Sequence, residues 1–131
     1  MNKRTKLKPV ATKLMLAYFG KNCLLCDSPY VDGCHLYQAG VYPILASSQY
    51  TIVPLCRRHH RQLDNLGSQT TSVQFRVDFL RLHCIDEYKT KLDAQLMILK
   101  TMISELKLAN KNDGDIYAIP EINLEHDRVG L

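Results

Sequence analysis

The 131-residue sequence predicts an α+β fold, mostly helical, in which a strand pair and a short helix are pinned together through their side chains while longer helices pack around them. Three observations carry this reading. A Cys-x-x-Cys pair, Cys23 and Cys26, is answered by Cys56-Arg57-Arg58-His59. Between the pairs lie two short extended stretches, and from Ile85 to Leu106 apolar residues recur at steps of three and four.

Composition sets the outer bounds. With 46% hydrophobic and 23% charged residues, the chain has the make-up of an ordinary globular domain rather than a disordered one. Its length suits one modest core with a helical appendage. No apolar run is long enough to span a membrane. The basic start, Met1 to Lys8, is followed by a run broken by Thr12, Lys13 and Tyr18, without a small-residue cleavage site. The expected location is therefore intracellular, in the cytoplasm.

The elements follow in order. Residues 1–9 read as a mobile basic arm, and Ala11 to Phe19 as a short helix ended by Gly20. Residues 21–33 are rich in turn formers. Strands are expected near His35–Ala39 and Tyr50–Val53, separated by Gly40, Pro43 and Ser47-Ser48. A helix from Leu55 to Leu66, stopped by Gly67, comes next; a polar loop at 68–72 leads to a helix from Val73 to about His83. Residues 10–84 thus form the pinned module.

The region Ile85 to Ala109 gives the clearest helical signal. Ile85, Tyr88, Leu92, Leu96, Leu99, Ile103 and Leu106 trace one face, and Ile98 and Met102 widen it. That face either packs on the module or forms a seam for a homodimer. The acidic tail, 110–131, contains Asp113-Gly114 and Pro120, has no helical period, and is expected to be extended or disordered.

The cysteines point to metal rather than to bridges. Five is an odd number, which no all-disulfide framework can pair, and the Cys/His spacing is that of metal ligation. Two intervening residues let a tight turn present two ligands to one ion. Cys23, Cys26, Cys56 and His59 would give Zn²⁺ three thiolates and one imidazole, the closed tetrahedral shell of a structural site. Such a site contributes folding energy on the order of 10 kcal/mol. A rearranged set with Cys34 or His60 in place of His59, and cysteines that are simply buried and unligated, are the alternatives. Cys84 is expected in the core.

Charge is uneven. Residues 1–62 carry nine Lys or Arg against two acids, and residues 63–131 eight against eleven. The first half is a candidate polyanion-binding face, or else a solvated basic surface.

The order Cys-x-x-Cys, then His35 in an extended segment, then Val53-Pro54-Leu55-Cys56-Arg57-Arg58-His59-His60, resembles the zinc-stapled HNH (His-Me finger) endonucleases. More narrowly it is similar to phage-encoded relatives of the RecA-dependent recombination-enhancement nuclease. The resemblance spans about residues 20–66, with a weaker echo in 74–86. It implies a ββα-metal module flanked by an N-terminal helix and a long C-terminal one. His35 would be the general base that takes a proton from water. His60 and the position of Cys34 would hold a catalytic divalent ion, Mg²⁺ or Mn²⁺. Arg57, Arg58 and Arg61, with Lys3, Arg4, Lys6 and Lys8 of the arm, would meet DNA phosphates.

Two departures from the family pattern stand out. Cys34 replaces an Asp or His, and a thiolate is a soft partner for Mg²⁺. The middle Asn that orients the base has no counterpart; Gln49 or the backbone near Tyr50 is nearest, while Asp32 or Asp64 would supply a carboxylate. His83 and His126 have no evident role. The resemblance thus implies a DNA endonuclease encoded by a phage or mobile element. The alternative is a degenerate module that binds nucleic acid or blocks a protein partner.

Overall fold

A computed structural model of the chain describes residues 3–38, 40–65 and 72–125; the side chains of residues 3–9 and 72 lie outside that description. The elements run α1 (Lys3–Phe19), β1 (Asp32–His35), two 3-10 turns (Pro43–Leu45 and Gln49–Thr51), β2 (Ile52–Leu55), α2 (Arg57–Asp64), α3 (Ser72–His83), α4 (Asp86–Ala109) and α5 (Gly114–Tyr117). Among the described residues the architecture is α+β and mostly helical, with one two-stranded antiparallel sheet.

α1 begins at Lys3, so most of the stretch expected to be a mobile arm is helical. Lys, Arg and Leu all favour helix, and Ala11, Met15 and Phe19, spaced by four, bury one face. Gly20 ends it as expected: its φ of +84° suits glycine, and its amide donates to the Leu16 oxygen at 2.9 Å.

Both strands are offset from their expected positions. β1 lies three residues earlier and β2 two residues later, paired Asp32↔Leu55, Gly33↔Pro54, Cys34↔Val53 and His35↔Ile52. Tyr50 instead belongs to a 3-10 turn whose start is capped by Ser48 Oγ, which accepts from the Tyr50 amide at 3.3 Å. Pro54 stays within β2 because that strand's other edge is met by partners that need only its carbonyls. Gln95 Nε2 donates to Ile52 O at 2.9 Å, and the Leu24 amide to Pro54 O at 3.1 Å. At Gly33 a Cβ would stand 3.1 Å from Ile52 Cγ2, tighter than an ordinary contact, and 3.4 Å from Thr12 Cγ2 of α1, so glycine leaves room for the Ile52 side chain between the sheet and α1.

Leu55 remains in β2, and α2 starts at Arg57 with Cys56 as its N-cap. The expected stop at Gly67 and most of the loop 68–72 lie outside the described residues. α3 falls where expected. On α4, Leu92, Leu96, Leu99 and Ile103 are completely buried in the chain's own core, so this stripe packs on the module; Ile98, expected to widen it, is exposed. Tyr88, Met102 and Leu106 pack at its margin, and Ile85 precedes the helix, its amide donating to Leu24 O at 2.9 Å.

The tail departs most from expectation. Asp113 caps α5, accepting from the amides of Asp115 and Ile116 at 3.0 and 3.3 Å. Ile116, Ile119 and Ile122 are then buried in the core. Gln74 brackets the Asn123 backbone, donating to its oxygen at 2.9 Å and accepting from its nitrogen at 2.7 Å, and the Tyr37 hydroxyl donates to Pro120 O. Residues 110–125 are thus a strap across the module, held by apolar side chains that the acidic composition obscured. Residues 126–131, with His126, lie outside the described part. Among the described residues no helix is long and apolar enough to cross a membrane.

Candidate metal centre

Cys23 to Asp27 form a tight knuckle. The Asp27 amide donates to Cys23 O at 2.9 Å, and Asp27 takes a φ of +65°, a left-handed conformation that Asp tolerates better than most residues. The Leu25 amide lies 3.4 Å from Cys23 Sγ. β2 delivers Cys56 to the same point, and the first turn of α2 adds His59.

Cys23 Sγ and His59 Nδ1 are 3.5 Å apart, Cys56 Sγ and His59 Nδ1 3.3 Å, and Cys26 Sγ and Cys56 Sγ 3.7 Å. All four ligand atoms lie within 4.8 Å of one another. A tetrahedral zinc with bonds of about 2.3 Å to sulfur and about 2.05 Å to nitrogen has S···S edges of about 3.8 Å and S···N edges of about 3.5 Å. The cluster has the dimensions of that shell and can hold a metal ion such as zinc.

Electrostatics divide the ligands. Burial pushes the Cys23 thiol up. At Cys56 burial acts the same way but is outweighed, through the amides of Arg58 and His59 at the head of α2 and the neighbouring thiols, so its thiol is held below the ordinary value. Burial and the charge of Arg58 hold His59 low, which favours the neutral imidazole that a metal requires. His60, the alternative to His59, faces elsewhere.

A second cluster lies beside the first. Cys34 from β1 and His60 and Asp64 from α2 offer ligand atoms all within 4.8 Å of one another. His60 Nε2 is 3.5 Å from Asp64 Oδ2 one turn later, and His60 Nδ1 is 3.8 Å from Asp32 Oδ2. Of the two carboxylates considered from sequence, Asp64 therefore joins the cluster and Asp32 flanks the histidine. Cys34 is fully buried; burial first, then Asp64 and Asp32, outweigh Arg76 and push its thiol up to about 12.

His35 ends β1 next to Cys34. Its Nε2 lies 3.3 Å from the Ala46 carbonyl oxygen, which only accepts, so Nε2 is the donor of that pair. The orienting partner is thus the Ala46 carbonyl rather than Gln49 or the backbone near Tyr50. Sequence reasoning also passed over Arg76. Only 1% exposed, it donates from Nη1 to His35 O at 3.1 Å and sets Nη2 3.5 Å from Asp64 Oδ1. The signal was an arginine on the same helical face as Val73, Val77 and Leu80, all buried.

Arg57, Arg58 and Arg61 are exposed on α2; Arg57 Nε is 3.9 Å from Asp32 Oδ2. The side chains of Lys3, Arg4, Lys6 and Lys8 lie outside the described structure. Cys84 is buried, and the His83 ring lies tilted at 50° against Phe79 with centroids 4.5 Å apart. No protein-family model, curated protein or solved structure matches this chain.

Proposed function

We propose that the chain is a metal-dependent endonuclease of the HNH (ββα-metal) kind, phage or mobile-element encoded, that cuts DNA phosphodiester bonds. The observation that carries this is one juxtaposition: His35, fixed through Nε2 by a backbone carbonyl, ends the strand whose preceding residue, Cys34, clusters with His60 and Asp64 of α2. His35 would act as the general base that takes the proton of the attacking water. His60 and Asp64 would hold a divalent ion, Mg²⁺ or Mn²⁺ as the resemblance implies, which polarises the scissile phosphate and steadies the leaving oxygen. Arg57, Arg58 and Arg61 would position neighbouring phosphates, and Zn²⁺ at Cys23, Cys26, Cys56 and His59 would hold the hairpin to α2.

A second reading, a degenerate module that binds nucleic acid or blocks a protein partner, is favoured by one observation. Cys34 is buried and its thiol raised, which makes it a poor donor to a hard ion. Purified protein incubated with plasmid and with single-stranded DNA, in Mg²⁺ and then in Mn²⁺, decides between them. Nicking that disappears in His35→Ala supports the enzyme; tight, salt-sensitive binding without cleavage supports the binding module. Elemental analysis that finds no tightly held zinc in folded protein would remove the structural part of the reading.

A further inference from the structure

Cys34, His60 and Asp64 come from two elements that the hairpin and α2 bring together, and each offers a different donor atom: sulfur, nitrogen and oxygen. Three protein donors with a fourth position left over describe an open zinc-type site, as distinct from the closed four-donor knuckle next to it. We propose that this second cluster is a site for a borderline transition ion of the Zn²⁺ or Co²⁺ class, with Cys34 as a thiolate ligand, so that the chain binds two such ions.

The surroundings supply an independent argument. A metal-ligating histidine commonly presents its other ring nitrogen to a carboxylate that fixes the tautomer. Here His60 turns Nε2 toward Asp64 and has Asp32 Oδ2 3.8 Å from Nδ1, on the outer side. The ligand carboxylate is held in the same way: Asp64 Oδ2 faces His60 while Oδ1 faces the guanidinium of Arg76 at 3.5 Å. Arg76 is itself buried and hydrogen-bonded to the backbone of β1, so the carboxylate's outer partner is fixed in place.

Accessibility completes the picture. Cys34 forms the closed floor, whereas His60 and Asp64 are 29% and 49% exposed at the side chain, so the fourth position faces solvent. Binding replaces the thiol proton of Cys34 by the ion and releases that proton to water. A thiolate, an imidazole and a carboxylate form a donor set that suits Zn²⁺ or Co²⁺ better than Mg²⁺, which prefers oxygen, so in the proposed nuclease an ion of this class would stand where the family pattern has Mg²⁺ or Mn²⁺. The inference concerns which ion the cluster takes and holds whether or not DNA is cut.

The test titrates Co²⁺ into the purified, zinc-loaded full-length protein and follows absorption, released protons and metal content. The expected result is one added ion per chain, a thiolate-to-cobalt charge-transfer band and one proton released per ion. Cys34→Ser loses the band, Asp64→Asn loses the added ion, and both keep the first zinc. Asp32→Asn weakens the added ion by about 10-fold to 100-fold. A single ion per chain, an added ion without the charge-transfer band, or a band that survives Cys34→Ser because it comes from the knuckle would each overturn the proposal. Cleavage by the unaltered protein in Mg²⁺ with no second transition ion bound would do so too while leaving the nuclease reading intact, and two ions with no cleavage at all would do the reverse.

Discussion

Arg76 Nη1 donates to the main-chain oxygen of His35 at 3.1 Å, which ties α3 to the last residue of β1. Replacing Arg76 by Met keeps the volume but removes that part-buried hydrogen bond. The expected loss is about 1–3 kcal/mol of stability, measured by denaturant unfolding. Arg76→Lys keeps a charge but cannot reach the carbonyl and Asp64 together, so it should recover stability only in part. A wild-type midpoint for both variants would count against the link.

Removal of the knuckle's metal should cost far more. Cys26→Ala, or a strong chelator, takes away a contribution on the order of 10 kcal/mol, which exceeds what a small domain can spare. Circular dichroism should show loss of cooperative unfolding with residual helix, reversed by added Zn²⁺ for the chelated wild type only.

The exposed arginines of α2 give a prediction about binding. Arg58→Gln and Arg61→Gln should each weaken DNA association at low salt and lower the slope of log affinity against log salt by about 1, with no change in zinc content. Slopes equal to wild type would place the nucleic acid on another surface.

The strap can be probed from its buried isoleucines. Ile119→Ala should cost about 2–5 kcal/mol, an effect that a disordered tail would not show. Glu125→Ala, at the exposed end of the described strap, should be close to neutral.

Tyr37 provides a pH dependence. Burial, then Tyr42 and Glu121, raise its ionisation above the ordinary value of about 10. Since the folded form holds its proton more tightly than the unfolded form, its contribution is complete below about pH 10 and is lost as the pH climbs beyond that toward the folded value. Tyr37→Phe should cost about 1 kcal/mol at neutral pH through the lost bond to Pro120 O and should flatten the alkaline fall in stability. Unfolding midpoints between pH 8 and 11 would show it.

What the sequence revealed was local or periodic. The α4 stripe, the Gly20 stop and the two ligand pairs follow from spacing alone, because helical repeat and knuckle geometry are set by neighbouring residues. Asp64 was within reach of the same logic, four residues beyond His60 on one helix. The rest depended on distant partners. Pro54 belongs to a strand only because Leu24 and Gln95 need its edge for carbonyls alone, and Arg76 has a role only because α3 lies across the end of β1. The tail misled for a related reason: three isoleucines among acids do not form a helical repeat, yet they fill a core whose vacancy the sequence does not display.

The strap also fixes an order of assembly during synthesis. Every knuckle ligand has been made once residue 59 has emerged, whereas the hydrophobic interior still lacks Ile116, Ile119 and Ile122. On a growing chain, an ion held at the knuckle could therefore be captured before the interior closes, and without one the hairpin would emerge unsecured.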